Sequence, residues 1–193
     1  MVFLFLILYI LLLSESNKSV KHQKSVLIFA CVAFTLAVGF RAIYHWPDTP
    51  VYIEAYKWAP TLSELSPIDT PYGYAEYGYY LICVILKTVG LSERMYLVAM
   101  AGISMFLLYK VLGKYGTLPL IGVADYTARF MMNRDCVQMR SSLCILLIIW
   151  ALKFVKERKM WYYFAVILLA YQFHHMALIG LPFYFFCNFK FTN

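Results

Sequence analysis

The chain has 193 residues, 63% of them apolar and 14% charged, with a formal net charge of +7 and a mean hydropathy of +0.68. A soluble domain is nearer about half apolar and a quarter charged, so the composition excludes an ordinary soluble enzyme and points to a membrane protein. The basic excess is no nucleic-acid footprint, because Lys and Arg gather in short loops between apolar runs, the topology signal of an inner-membrane protein.

In chain order, the first apolar run covers 2–13. It has no basic n-region and no small-residue cleavage site, and reads as a retained helix rather than a signal peptide. "SESNKSVKHQK" follows, with Lys18, Lys21 and Lys24, and is cytoplasmic by the positive-inside rule. Residues 25–43 form a second span that exits at Arg41. The segment 44–75 is acidic (Asp48, Glu54, Glu64, Asp69), with Lys57 its one lysine, and is broken by Pro47, Pro50, Pro60, Pro67 and Pro71. It reads as an external, irregular loop with room for an interfacial helix. Residues 77–91 are apolar but short. Runs at 95–112, 117–132, 136–152 and 160–173 follow, leading into "HHMALIGLPFYFFCN".

If every run crosses, the basic "KFVKERK" turn falls outside, against its charge. If one run does not cross, that turn, Lys110 and Lys114 are all cytoplasmic. The run 77–91 is the shortest candidate beside the external loop, so it is expected to be re-entrant or interfacial. The 44–75 loop, the "NRD" turn at 133–135 and the His174–His175 pair then meet on the outer face. The expected architecture is all-α: one integral membrane domain, 1–193, with about six to eight hydrophobic helices.

Arg140 is the residue that most needs explaining, since Arg is among the costliest side chains in lipid. "DCVQ" reads as a capping box, with Asp135 accepting from the first amides and Gln138 reaching back. Arg140 then falls in the second helical turn, about 7 Å below its start, where a cation opposes the helix dipole. It either snorkels to the headgroups or forms an anion site, because a guanidinium fork suits phosphate. Arg134 is a second ligand or a loop charge. Asp125 and Arg129, four apart, read as an internal ion pair. Asp48 is a turn former or a chemical group, and Glu76 a boundary charge at a helix start or part of a site. His174 is a helix–helix hydrogen bonder or a catalyst. No third ligand stands at metal spacing from the His174–His175 pair, so no metal site is expected. Cys31, Cys83, Cys136, Cys144 and Cys187 match no zinc or redox spacing and read as small buried hydrophobes.

The pieces "FRAIYHWPDTPVY", "AEYGYY", "QMRSSLC", "KERK" and "FHHMALIGLP" occur in this order between residues 40 and 182. Together the set resembles bacterial polysaccharide polymerases of the O-antigen and exopolysaccharide type. By that match Arg41, Asp48, Tyr52, Glu76, Gly78, Arg140 and His174 occupy motif positions. Tyr77, Ser141 and Met176 depart from the family pattern. Family members are longer, so the chain resembles the N-terminal half of one and reads as truncated.

The resemblance implies a fold like the all-helical lipid-sugar glycosyltransferases (GT-C-like) in the bacterial inner membrane. It implies polymerisation of undecaprenyl-pyrophosphate-linked oligosaccharide repeat units at the periplasmic face, for O-antigen, capsule or exopolysaccharide, with no soluble cofactor. The partners expected are that lipid-linked oligosaccharide, membrane lipid, a chain-length regulator and a flippase, and no nucleic acid. Arg140, with Arg41 or Arg134 beside it, would stabilise the leaving pyrophosphate. Asp48, Glu76 and His174 are the candidates for the base, and Tyr52 and Gly78 would help to bind substrate. Two other readings stay open: a transporter or flippase for lipid-linked sugars, and an inactive remnant.

Overall fold

The computed structural model describes residues 2–66, 76–115 and 118–188, and every regular element within them is helical. Helices α1 (Val2–Glu15) and α2 (Val20–Gly39) form a hairpin. Polar side chains stitch its turn. The Ser19 hydroxyl accepts from the His22 amide at 3.4 Å, and Gln23 donates to the carbonyls of Ser16 and Lys18, both at 2.8 Å. Such bonds satisfy helix-end groups that lipid would leave bare.

The chain then carries α3 (Thr49–Trp58) and, further on, α4 (Tyr77–Thr88). Helix α5 (Glu93–Tyr115) lies antiparallel on α2, with Gly39 over Val98, Gly102 over Thr35 and Gly113 over Leu27. Small residues let the two backbones approach. Helix α6 (Pro119–Tyr126) turns back with Gly122 against Leu112, and continues as a π-helix over Thr127–Asp135. Helices α7 (Met139–Lys156) and α8 (Met160–Tyr171) form the next hairpin. A 3-10 segment, His175–Gly180, and α9 (Phe183–Asn188) fold back along it. Tyr163 Oη ties this return down, donating to the Gly180 carbonyl at 2.6 Å.

One core gathers around Leu27, Phe34, Met105 and Val123, and the other around Tyr56, Tyr96, Met100 and Ile167; α5 and α7 contribute to both. Large apolar side chains such as Phe29, Val32, Phe106 and Ile179 stand exposed on the outside, as a lipid-facing surface requires. Val20–Gly39 and Glu93–Gly113 are long and apolar enough to cross a bilayer. The other apolar helices are shorter, α7 carries Arg140, Lys153 and Lys156, and α6 gives way to the π-helix. The expected six to eight spans thus compare with two helices that qualify by length and apolarity among the described residues.

Helix α4 runs across one end of the bundle rather than through it. Its start lies on the α8 end, where the Gly78 amide donates to the Gln172 carbonyl at 2.9 Å. Its far end is closed by Gly90 at φ 81, with Gly90 N bonded to Lys87 O at 2.9 Å and Leu91 N to Leu86 O at 3.2 Å. This is a Schellman stop, and the left-handed residue suits glycine. The chain turns back at once into α5, with Ser92 accepting from the Met95 amide at 3.4 Å. Arg94 donates to the Arg41 carbonyl at 2.6 Å, and Glu93 lies 3.8 Å from Lys57. Both ends of α4 therefore sit with Arg41 and α3, an arrangement that agrees with a non-crossing 77–91 run.

Three expectations are corrected. Residues 133–135 are no turn but the end of the π-helix, whose Cys136 amide reaches five residues back to the Met131 carbonyl at 3.1 Å. Asp135 and Gln138 form no capping box: α7 starts at Met139 with no side-chain cap bond, Asp135 is buried elsewhere, and Arg140 stands in the first turn rather than the second. The Asp125–Arg129 pair forms at 2.6 Å but is exposed, not internal. Asp69, Pro67 and Pro71 lie outside the described residues.

A cysteine at Glu93 should react with an impermeant maleimide from the same membrane side as one at Asp48. A cysteine at Lys156 should react only from the opposite side. Labelling of Glu93→Cys from the Lys156 side would show that α4 crosses.

Candidate functional site

Arg140 leaves α7 in its first turn and binds Glu76, sixty-four residues away in sequence. Its Nη1 donates to Glu76 Oε2, with the side chains 17% and 7% exposed. The other carboxylate oxygen lies 3.5 Å from His175 Nδ1. Arg140 alone would oppose the α7 dipole, and a buried carboxylate alone would be strongly penalised. Each group offsets the other's cost. Glu76 also stands at the α4 N-cap, where negative charge is favoured.

Gly78 makes this possible. Its amide and that of Tyr79 both donate to the Gln172 carbonyl, at 2.9 and 3.3 Å. A Cβ at Gly78 would lie 2.6 Å from Gln172 Cβ and 2.9 Å from its carbonyl oxygen. Gly78 is thus a close-approach residue that docks the start of α4 on the α8 end.

Tyr52 is buried on α3, its ring 5.7 Å from that of Tyr79. Burial pushes its phenol up from the ordinary value, while a hydrogen bond and the charge of Arg140 pull against the rise. Asp48, one turn earlier, acts on the same phenol. It occupies the α3 N-cap position but makes no side-chain cap bond. Arg134 closes the π-helix and donates to Gln138 Oε1 and, at 3.4 Å, to the Ser141 hydroxyl. His174 stands beyond the end of α8, and its Nδ1 accepts from the Met176 amide at 3.2 Å. The neutral ring then carries its proton on Nε2, which becomes a donor. Burial and then Arg140 lower its pKa from the ordinary 6.5, and Glu76, His175 and Arg134 also act on it.

Arg140, Glu76, Tyr52, Asp48, Arg134 and His174 therefore share one end of the bundle. Arg41 does not join them. It is 1% exposed, and its guanidinium donates to Thr49 Oγ1 at 3.1 Å, the Val38 carbonyl at 2.8 Å and Met139 Sδ at 3.2 Å. It locks the end of α2 and the starts of α3 and α7 together. Among the described residues no cluster could hold a metal ion.

Beside the polar cluster opens a cavity of about 550 Å³, with Arg134, Gln138, Ser141 and His174 among its lining residues. Sequence reasoning assigned no site role to His175 or Gln172, and took Asp135 for a helix cap. Asp135 instead accepts from Tyr126 Oη at 2.7 Å and Ser142 Oγ at 2.6 Å, in the protein interior. Its seven-residue spacing to Ser142, two helical turns, is the one sequence signal that could have paired them.

Gly78→Ala should force α4 and Gln172 apart and destabilise the protein by about 1–3 kcal/mol, read as a lower Tm of the detergent-solubilised protein. His174 gives a pH test. Its folded pKa is depressed, so its contribution to stability is present above the unfolded value near 6.5 and is lost as pH falls through the folded one. The wild type should lose thermal stability below that pH, and His174→Asn should flatten this slope.

The profile of the EpsG family matches residues 24–193. No curated protein and no solved structure matches. The match covers most of the chain, so this helical membrane protein belongs to the EpsG family, of exopolysaccharide and O-antigen polymerase type.

Proposed function

We propose that the chain carries the leaving-group side of a polymerase acting on glycan repeat units linked to undecaprenyl pyrophosphate, at the periplasmic face of the bacterial inner membrane. The observation that carries this reading is the gathering of two arginines, a histidine donor and two carboxylates at one end of the bundle. A chain-length regulator and a flippase would be its partners, and six to eight spans of GT-C type its full architecture.

An acceptor sugar hydroxyl attacks the anomeric carbon of the donor glycan. The new glycosidic C–O bond forms as the bond from that carbon to the pyrophosphate oxygen breaks, and the electron pair leaves with the lipid pyrophosphate. Arg140 and Arg134 stabilise the charge that builds there, and His174 Nε2–H donates to the same oxygens. Glu76 is committed to Arg140 and His175, so its part is to aim Arg140. The attacking hydroxyl's proton goes to Asp48, a carboxylate with no cap bond to compete for it.

Per molecule of protein in the membrane, Arg140→Ala should slow polymer synthesis by about 10²–10³-fold, and Asp48→Asn by about 10²–10⁴-fold. The readout is a gel of surface polysaccharide from cells complemented with each variant. Single repeat units reaching the surface without a ladder support the polymerase. Loss of single units as well as ladder supports transport instead, and a full ladder from Arg140→Ala overturns the leaving-group role.

A further inference from the structure

Asp135 is a carboxylate in the protein interior, 2% exposed, that the polymerisation chemistry does not use. A charge is a costly way to fill such a position, so its presence calls for something an apolar side chain cannot do. It accepts hydroxyls from three helices at once. Oδ1 takes Ser142 Oγ of α7 at 2.6 Å, Oδ2 takes Tyr126 Oη of α6 at 2.7 Å, and the buried Ser104 of α5 bonds to it as well. Tyr126 Oη and Ser142 Oγ lie 3.1 Å apart and close the group. The residue that follows Asp135 is pinned too, its carbonyl accepting from Thr49 Oγ1 at 3.3 Å.

The join between the π-helix and α7 is where this matters. Helix α7 starts with no side-chain cap bond, so side chains reaching across the join hold its angle. They form two crossbars of the same seven-residue span. The inner one is Asp135 to Ser142. The outer one is Arg134 to Ser141, at 3.4 Å, with Gln138 Oε1 also accepting from Arg134. At the end of the π-helix, successive residues diverge, Asp135 to the interior and Arg134 to the cavity. Such widened turns are frequent at functional sites. We infer that Asp135 is a positioning residue for Arg134: by fixing the start of α7 on the π-helix from the inside, it holds the Arg134 guanidinium in place before an anion arrives. The inference rests on the leaving-group reading of Arg134, but anion binding alone also tests it. Asp135 touches no substrate and acts only through its neighbour.

The test uses the full chain, in complemented cells for polymer synthesis and in nanodiscs for anion binding. Asp135→Ala is the direct variant. Ser142→Ala removes only the inner crossbar, leaves Asp135 its bond to Tyr126, and serves where Asp135→Ala does not fold. Per molecule of protein in the membrane, Ser142→Ala should slow polymer synthesis by about 10–10²-fold, the scale of a misplaced catalytic group. In an Arg134→Ala background the same change should cost less than about twofold, because nothing is left to position. Gln23→Leu removes a buried tie in the α1–α2 turn; it should lower Tm and leave the rate per molecule unchanged. In nanodiscs, inorganic pyrophosphate should raise the Tm of the wild type, and raise that of Ser142→Ala and Arg134→Ala much less. Equal losses from Ser142→Ala with and without Arg134, or a matching loss from Gln23→Leu, would overturn the inference and leave Asp135 a purely structural carboxylate. A wild type that makes no polymer, yet whose response to pyrophosphate disappears in Ser142→Ala, would uphold the placement of Arg134 and sink the polymerase reading. Polymer made at the full rate by Ser142→Ala would do the reverse.

Discussion

The Glu76–Arg140 ion pair is the contact on which the arrangement of this end of the bundle depends. Neither charge has a good reason to be there alone. A cation in the first turn of a helix faces the positive end of the dipole, and breaking a buried pair on one side typically costs about 3–5 kcal/mol. Together the two charges form a neutral unit that carries the start of α4 onto the start of α7. Gly78 permits the approach by leaving room for Gln172, and His175 takes the second carboxylate oxygen. Because a carboxylate fixes it, the guanidinium is held in place before any ligand arrives, as a preorganised charge site requires.

Behind that pair lies a second, buried polar layer. Arg41 binds the end of α2, the start of α3 and Met139, and Thr49 in turn donates to the Cys136 carbonyl at 3.3 Å. Asp135 collects Tyr126 and Ser142. Satisfied polar networks of this kind specify one geometry at the cost of desolvation. Here they hold the loop ends and the irregular π-turn in register at the point where the two hydrophobic cores meet.

Much of this was legible in the residues. Arg140 announced itself as a charge where lipid tolerates none, and Glu76, His174 and Tyr52 belonged to the same ordered motif set. The shortness of 77–91 against the basic "KFVKERK" turn implied a helix that does not cross, and α4 lies across the bundle end. The roles within the set were less legible. That Arg41 is a buried hub and Gly78 a close approach could not be read locally, because both roles depend on partners far along the chain. Asp135 looked like a cap, because an Asp three residues before Gln138 and a few before an apolar run fits that pattern whether or not the preceding segment is already helical.

Composition and charge placement alone determined the class of the protein, since the cost of bare backbone and charge in lipid leaves only helices with short basic turns. They also determined which residues are anomalous enough to need a partner. They did not determine the partners. Glu76 and Arg140 lie sixty-four residues apart, and no local pattern encodes a meeting set by how α4 docks on the end of α8. The π-helix is likewise a tertiary outcome, since sequence periodicity carries no signal for a widened turn. The cavity along α7 is bounded by the 3-10 return, which is pinned at Tyr163 and Gly180, and the folded packing alone settles that distance.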